Sequence, residues 1–169
     1  MIVDRLQVQF KPCNENAMLG LANGLVPLVR QGSLRRLTLS GSLGAGKTSF
    51  ARGLLQGLGI TGRIRSPSFA VAERYDLPGL VIHHIDLYRL EDPHAWRSAG
   101  LRETLSEGLA ILEWPERAAG LPDPDLAISI DWADRANPEG PRLLLATTAS
   151  QDIHDAVDAL ARNLTGLEA

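Results

Sequence analysis

Gly41-Ser-Leu-Gly-Ala-Gly-Lys-Thr48 is the stretch that decides the fold. It matches G-x-x-x-x-G-K-[ST], the phosphate-binding loop (P-loop), at every required position. Upstream, Leu34 to Ser40 is a short run with Leu37 and Leu39 that reads as a strand. Downstream, Lys47 to Leu58 places Phe50, Leu54, Leu55 and Leu58 at helical spacing. Strand, glycine loop and helix together are the context that gives the motif its meaning.

The residue types follow from the chemistry of phosphate. Gly41, Gly44 and Gly46 admit backbone conformations closed to side chains, so successive N–H groups, including that of Ala45, can point inward at anionic oxygens. The following helix contributes its free N-terminal N–H groups and the positive end of its dipole, with Ser49 in its first turn. Lys47 supplies a compact charge for the outer phosphates, and the Thr48 hydroxyl is placed to meet Mg²⁺. Of 17 basic residues only Lys11 and Lys47 are lysines. A chain that otherwise uses arginine thus keeps lysine where a guanidinium fork would not fit among phosphates.

A chain of 169 residues predicts one domain over 1–169, able to bury a real core. Hydrophobic residues at 44% and charged residues at 22% are ordinary for a globular protein. A net charge of −3 argues against an autonomous nucleic-acid binder. The single cysteine, Cys13, excludes an internal disulfide framework and suits a reducing cytoplasm. No apolar run reaches the ~18 residues of a membrane span, and the polar start does not read as a signal peptide.

Along the chain, Leu6, Val8 and Phe10 alternate as a strand, and Asn14 caps a helix running to Leu28, with Pro27 bending or shortening its end. Glu15 lies in that helix's first turn, where a carboxylate complements the dipole. Ser66-Pro-Ser68 is a loop with two hydroxyls leading into an alternating strand from Phe69 to Tyr75. Leu80 to Asp86 and Leu109 to Glu113 read as buried strands, each ending in an acid at the edge where nucleotide sites form. One such acid must serve Mg²⁺, and spacing alone leaves Asp86 and Glu113 both open. His83 and His84 read as packed or surface histidines, since no cysteine or further histidine has ligand spacing. A helix is expected from Glu91-Asp-Pro-His94, with Trp96, Leu101 and Leu105 facing the core. Leu126 to Ile130 and Leu143 to Thr147 are expected to pair as a hairpin, and Asp152 to cap a last helix. The fold class is therefore α/β, a mainly parallel sheet flanked by helices with added antiparallel strands.

Gly41 to Thr48, Ser66-Pro-Ser-Phe69, His84-Ile-Asp-Leu-Tyr-Arg-Leu90 and Glu113-Trp-Pro115 occur in the order and spacing of the TsaE (YjeE) ATPases, and the chain resembles that family over nearly its whole length. The resemblance implies a bacterial cytoplasmic Mg²⁺-dependent ATPase required for threonylcarbamoyl modification of adenosine beside the tRNA anticodon. It implies TsaB and TsaD as partners, with tRNA engaged indirectly through that complex, and weak hydrolysis without them. It further implies that Gly44 to Ser49 hold phosphates and that Thr48 and Glu113 coordinate Mg²⁺. Asp86 would position or activate water, Ser66 and Ser68 would belong to a switch-like loop, and Trp114 would lie beside the site. Glu15 matches a position near adenine, and Arg135, with Arg142 as the alternative, matches a nucleotide-contacting arginine of the terminal hairpin. Two departures stand out: Ser68 replaces a usual threonine, and Ser42 a frequent acid. The alternatives are a small-molecule kinase, disfavoured by the lack of an insertion long enough for a lid, and a nucleotide-gated binding module.

Overall fold

The computed structural model describes residues 5–10, 13–67, 72–97, 100–137 and 139–164. It is an α/β structure built on one seven-stranded sheet in the order β1-β7-β6-β2-β5-β4-β3. The centre is parallel: β6 (Leu126–Trp132), β2 (Arg36–Ser40), β5 (Leu109–Glu113) and β4 (Leu80–Asp86) run side by side in one direction. Antiparallel strands complete both edges, β7 (Arg142–Thr148) and β1 (Leu6–Gln9) on one side and β3 (Ala72–Leu77) on the other.

The central strands are near-continuous apolar runs because the sheet is covered on both faces there. All of Leu109 to Glu113 is buried, as are Leu37, Thr38 and Leu39. Alternation along β4 and β5 divides the core in two. Ile82, Leu109 and Ile111 pack with Leu21, Phe50 and Leu54 from the helices α1 (Glu15–Gly24) and α3 (Lys47–Leu58). Ile85, Ala110 and Leu112 face the other way, onto Trp96, Leu101 and Leu105. Further helices are α2 (Val26–Arg30), α4 (Leu101–Thr104) and α5 (Gln151–Leu164), the last burying Ile153 and Val157.

Several expectations hold in detail. Asn14 caps α1, its Oδ1 accepting the Ala17 N–H at 2.9 Å. Pro27 stands in the first turn of a separate α2, where its missing N–H has no partner to lose. Leu126–Trp132 and Arg142–Thr148 pair antiparallel as the terminal hairpin.

Two readings need revision. The helix expected from Glu91 is instead a 3₁₀ turn at Ala95–Arg97 and the four-residue α4, separated at Gly100, whose φ of 72° is left-handed and cannot continue a right-handed helix. Trp96, Leu101 and Leu105 are nonetheless core. The cap of α5 is Ser150, whose Oγ accepts the Ile153 N–H at 3.4 Å, and Asp152 lies inside the first turn, where its charge complements the dipole. β3 is described from Ala72, so the strand start expected at Phe69 to Val71, and Ser68 before it, lie outside the described residues.

Candidate functional site

Parallel β2, β4 and β5 end together, and the loop Gly41 to Gly46 passes over that end before α3 begins. Gly41 has φ 126°, and a Cβ there would lie 1.8 Å from the Ile130 carbonyl oxygen. The loop can therefore press onto β6 only with glycine at this position. Gly46, at φ 114°, caps α3, and a Cβ would lie 2.9 Å from the Met18 methyl. Ser42 fastens the loop from the other side, its hydroxyl donating to Asp131 Oδ1 at 2.9 Å. Asp131 is partly buried, which alone would raise its pKa. Bonds from Trp132 N–H, the Ser42 hydroxyl and Arg135 outweigh this and hold it below the usual carboxylate range.

A cleft of about 380 Å³ opens above the strand ends. Gly44, Gly46, Lys47, Thr48 and Ser49 line it from the loop and α3, and Ser66, Asp86, Glu113 and Trp114 line it from the facing side. The structure thus brings together nine of the residues expected from sequence. Gly41 and Ala45 shape the loop without lining the cleft. Glu15 is exposed in the first turn of α1, one turn before the Met18 that packs on Gly46. Arg135 reaches Asp131 at 3.3 Å, which ties it to the loop tip but leaves it outside the cleft lining. Arg142 instead covers the Trp132 ring, 4.3 Å from its centroid.

Lys47 is buried and its ammonium donates to the Gly41 and Ser42 carbonyls at 2.7 and 2.8 Å. The same Nζ lies 3.7 Å from the centroid of the Trp114 ring, a cation–π contact. Desolvation lowers its pKa, opposed by the charges of Glu113, Glu116, Asp86 and Asp131. Trp114 has φ 60°, a left-handed conformation that a bulky side chain adopts at a cost of about 1–3 kcal/mol. The twist comes directly after β5 and is anchored by a Trp114 N–H to Leu39 carbonyl bond of 3.1 Å. It turns the ring onto Lys47 and Tyr88, whose ring centroid is 4.9 Å away.

The two acids have different company. Thr48 Oγ1 donates to Glu113 Oε2 at 2.8 Å, and Glu113 Oε1 lies 2.7 Å from His84 Nε2. Asp86 accepts the Tyr88 N–H on Oδ1 at 2.9 Å and the Ser66 hydroxyl on Oδ2. Hard oxygen donors from Thr48 and Glu113, set beside the glycine loop at the start of α3, fit Mg²⁺, which takes one or two protein oxygens and completes its shell with phosphate and water.

Sequence reading missed Leu43, Tyr88 and Arg89 as cleft-lining residues, and His84 and Asp131 as the partners of Glu113 and Ser42. A signal for His84 existed: it shares a strand face with Asp86 two residues on, so a buried polar pair was marked by alternation alone.

A strand–glycine loop–helix unit, with acids on neighbouring parallel strand ends, defines a P-loop-type α/β protein. Residues 13–139 match the family described as threonylcarbamoyl adenosine biosynthesis protein TsaE. The chain belongs to the TsaE family. It is 33% identical over 164 residues to the tRNA threonylcarbamoyladenosine biosynthesis protein TsaE of Nostoc, covering 93% of this chain and 95% of that protein. It is 42% identical to the protein of the same name from Haemophilus influenzae over 100 residues, 58% of this chain and 63% of that relative, so this match spans less than two-thirds of the relative's length. The crystal structure of Bacillus subtilis YdiB superposes with a TM-score of 0.63 at 25% identity, covering 96% of this chain and 98% of that one. No helix among the described residues is long and apolar enough to cross a membrane.

Proposed function

We propose that this protein binds and hydrolyses ATP with Mg²⁺ in the cytoplasm, as the ATPase of tRNA N6-threonylcarbamoyladenosine formation. Its partners on this reading are TsaB and TsaD, and tRNA is engaged through their complex. The observation that carries the chemical part is the 2.8 Å bond from Thr48 Oγ1 to Glu113 Oε2 beneath the glycine loop. A helix-terminal hydroxyl and a strand-end carboxylate converge where the outer phosphates of a loop-bound nucleotide would lie.

The residues divide the work. Amides of Gly44 to Ser49 and the N-terminus of α3 bind phosphate oxygens. Lys47 turns from the Gly41 and Ser42 carbonyls towards the phosphates. Thr48 and Glu113 hold the cation, which when bound neutralises charge on the phosphate oxygens. Water attacks the terminal phosphorus, the bond to the bridging oxygen breaks, and Asp86 takes the proton released. Ser66, which donates to Asp86 Oδ2, ties that carboxylate to the segment after α3, which makes this contact a point where a partner can control turnover.

Turnover of ATP with Mg²⁺, measured for the protein alone and with TsaB and TsaD, tests the proposal. The expected result is slow hydrolysis alone and stimulation by the pair. Binding without turnover under both conditions would favour a nucleotide-gated module, and phosphate transfer to a small acceptor would favour a kinase.

A further inference from the structure

His84 is fully buried, with 0% exposure, on β4. Strand register puts it opposite Ile111, diagonal to Glu113, and alternation aims both side chains to the same face. At that diagonal a long side chain can cross between strands, and it does: His84 Nε2 and Glu113 Oε1 are 2.7 Å apart. Glu113 is itself 1% exposed, and its other oxygen accepts from Thr48 at 2.8 Å. His84 Nδ1 is buried without a protein partner. A carboxylate only accepts, so the Nε2 position must carry the proton of this bond.

We infer that His84 is a positioning residue for the cation site. It clamps Glu113 Oε1 so that only Oε2 is presented beside Thr48. The clamp fixes the carboxylate plane and makes it a one-oxygen ligand, the mode suited to a small octahedral ion. A freely rotating glutamate would lose orientation on each cycle of binding, and neighbours that orient a ligand through a hydrogen bond serve metal sites in this way. The inference rests on the reading of Glu113 as a metal ligand.

The test uses the full chain and measures ADP affinity in excess Mg²⁺ and in EDTA, giving for each variant the gain due to the metal. His84→Phe keeps a buried aromatic ring and removes the donor. His84→Gln keeps an N–H at the place of Nε2. His84→Phe is expected to lose about 10- to 100-fold of the Mg²⁺ gain while affinity in EDTA is unchanged, and His84→Gln to restore most of it. The inference is overturned if His84→Phe keeps the gain, or if affinity falls equally with and without Mg²⁺, which is what a packing role alone would do. Should His84→Phe fail to fold, ¹⁵N spectra of the wild-type imidazole decide: a proton on Nε2 bonded to Glu113 is expected, and a proton on Nδ1 with a bare Nε2 overturns the clamp. If wild type itself shows no Mg²⁺ gain, the metal reading of Glu113 fails, and this inference with it.

Discussion

Asp86 and Glu113 are register partners across the parallel β4–β5 pair, both buried and both aimed at the same face of the sheet. Adjacent strands lie about 4.8 Å apart, so the two carboxylates share one small site rather than marking two. What separates them is their partners. Glu113 is held by Thr48 of α3 and His84 of β4, whereas Asp86 is held by Ser66, which precedes β3, and by Tyr88, just after β4.

That division predicts opposite phenotypes. Glu113→Ala should remove most of the Mg²⁺ dependence of nucleotide binding. Asp86→Asn preserves shape and should leave binding nearly intact while lowering turnover by about 10²–10⁴-fold, the range for loss of a general base. Calorimetry with and without Mg²⁺, beside single-turnover kinetics, checks both. Equal loss of Mg²⁺ dependence in the two variants would contradict the division.

Lys47→Ala should weaken ATP binding by about 1.5–3 kcal/mol, the worth of a charge-assisted bond to phosphate. The change also removes the bonds to Gly41 and Ser42 carbonyls and the contact with Trp114. Trp114 fluorescence in the variant should therefore differ before any nucleotide is added. Unchanged ATP affinity would exclude phosphate binding by this loop.

Ser66 holds one oxygen of Asp86, and Ser68 lies two residues on, outside the described residues. Substituting alanine for both should lower partner-stimulated turnover more than ATP affinity. Hydrogen exchange of residues 66–69 should differ between ADP and a non-hydrolysable ATP analogue. Identical exchange, including with TsaB and TsaD present, would remove the switch role.

Away from the cleft, Arg74 bonds Asp76 and Glu107 at 2.9 and 2.7 Å on the exposed face of β3. Arg74 holds both carboxyls below their ordinary values of 3.8 and 4.5. Folded values beneath unfolded ones mean that this contribution is complete above the unfolded values and is lost as pH falls through the folded ones. Arg74→Gln should thus be less stable than wild type at neutral pH, with the gap closing on acidification below 4.5. The groups are exposed, so the gap should be small and shrink with salt. Urea unfolding across that range checks the sign, which a gap widening in acid would reverse.

Much of the site could be read before any coordinates. The loop Gly41 to Thr48, the strand before it and α3 after it follow from residues close in the chain, as does Asn14 as the cap of α1. The interrupted region around Gly100 was less legible, because Trp96, Leu101 and Leu105 have helical spacing whether or not the backbone between them is helical. Burial was fixed by those apolar residues, and the backbone path by one glycine at positive φ.

The sequence by itself determined the glycine loop, the lysine and hydroxyl that follow it, and two acids at the ends of apolar strands, since each depends on local backbone geometry or on alternation within one strand. Only the tertiary structure decided which acid meets Thr48, that His84 grips the same acid, and that Trp114 turns onto Lys47. Those contacts depend on the register of β4, β5 and β2 and on the left-handed turn at Trp114. Register is set by packing the whole sheet against two layers of core, and a slip of one residue would send every one of these side chains to the opposite face.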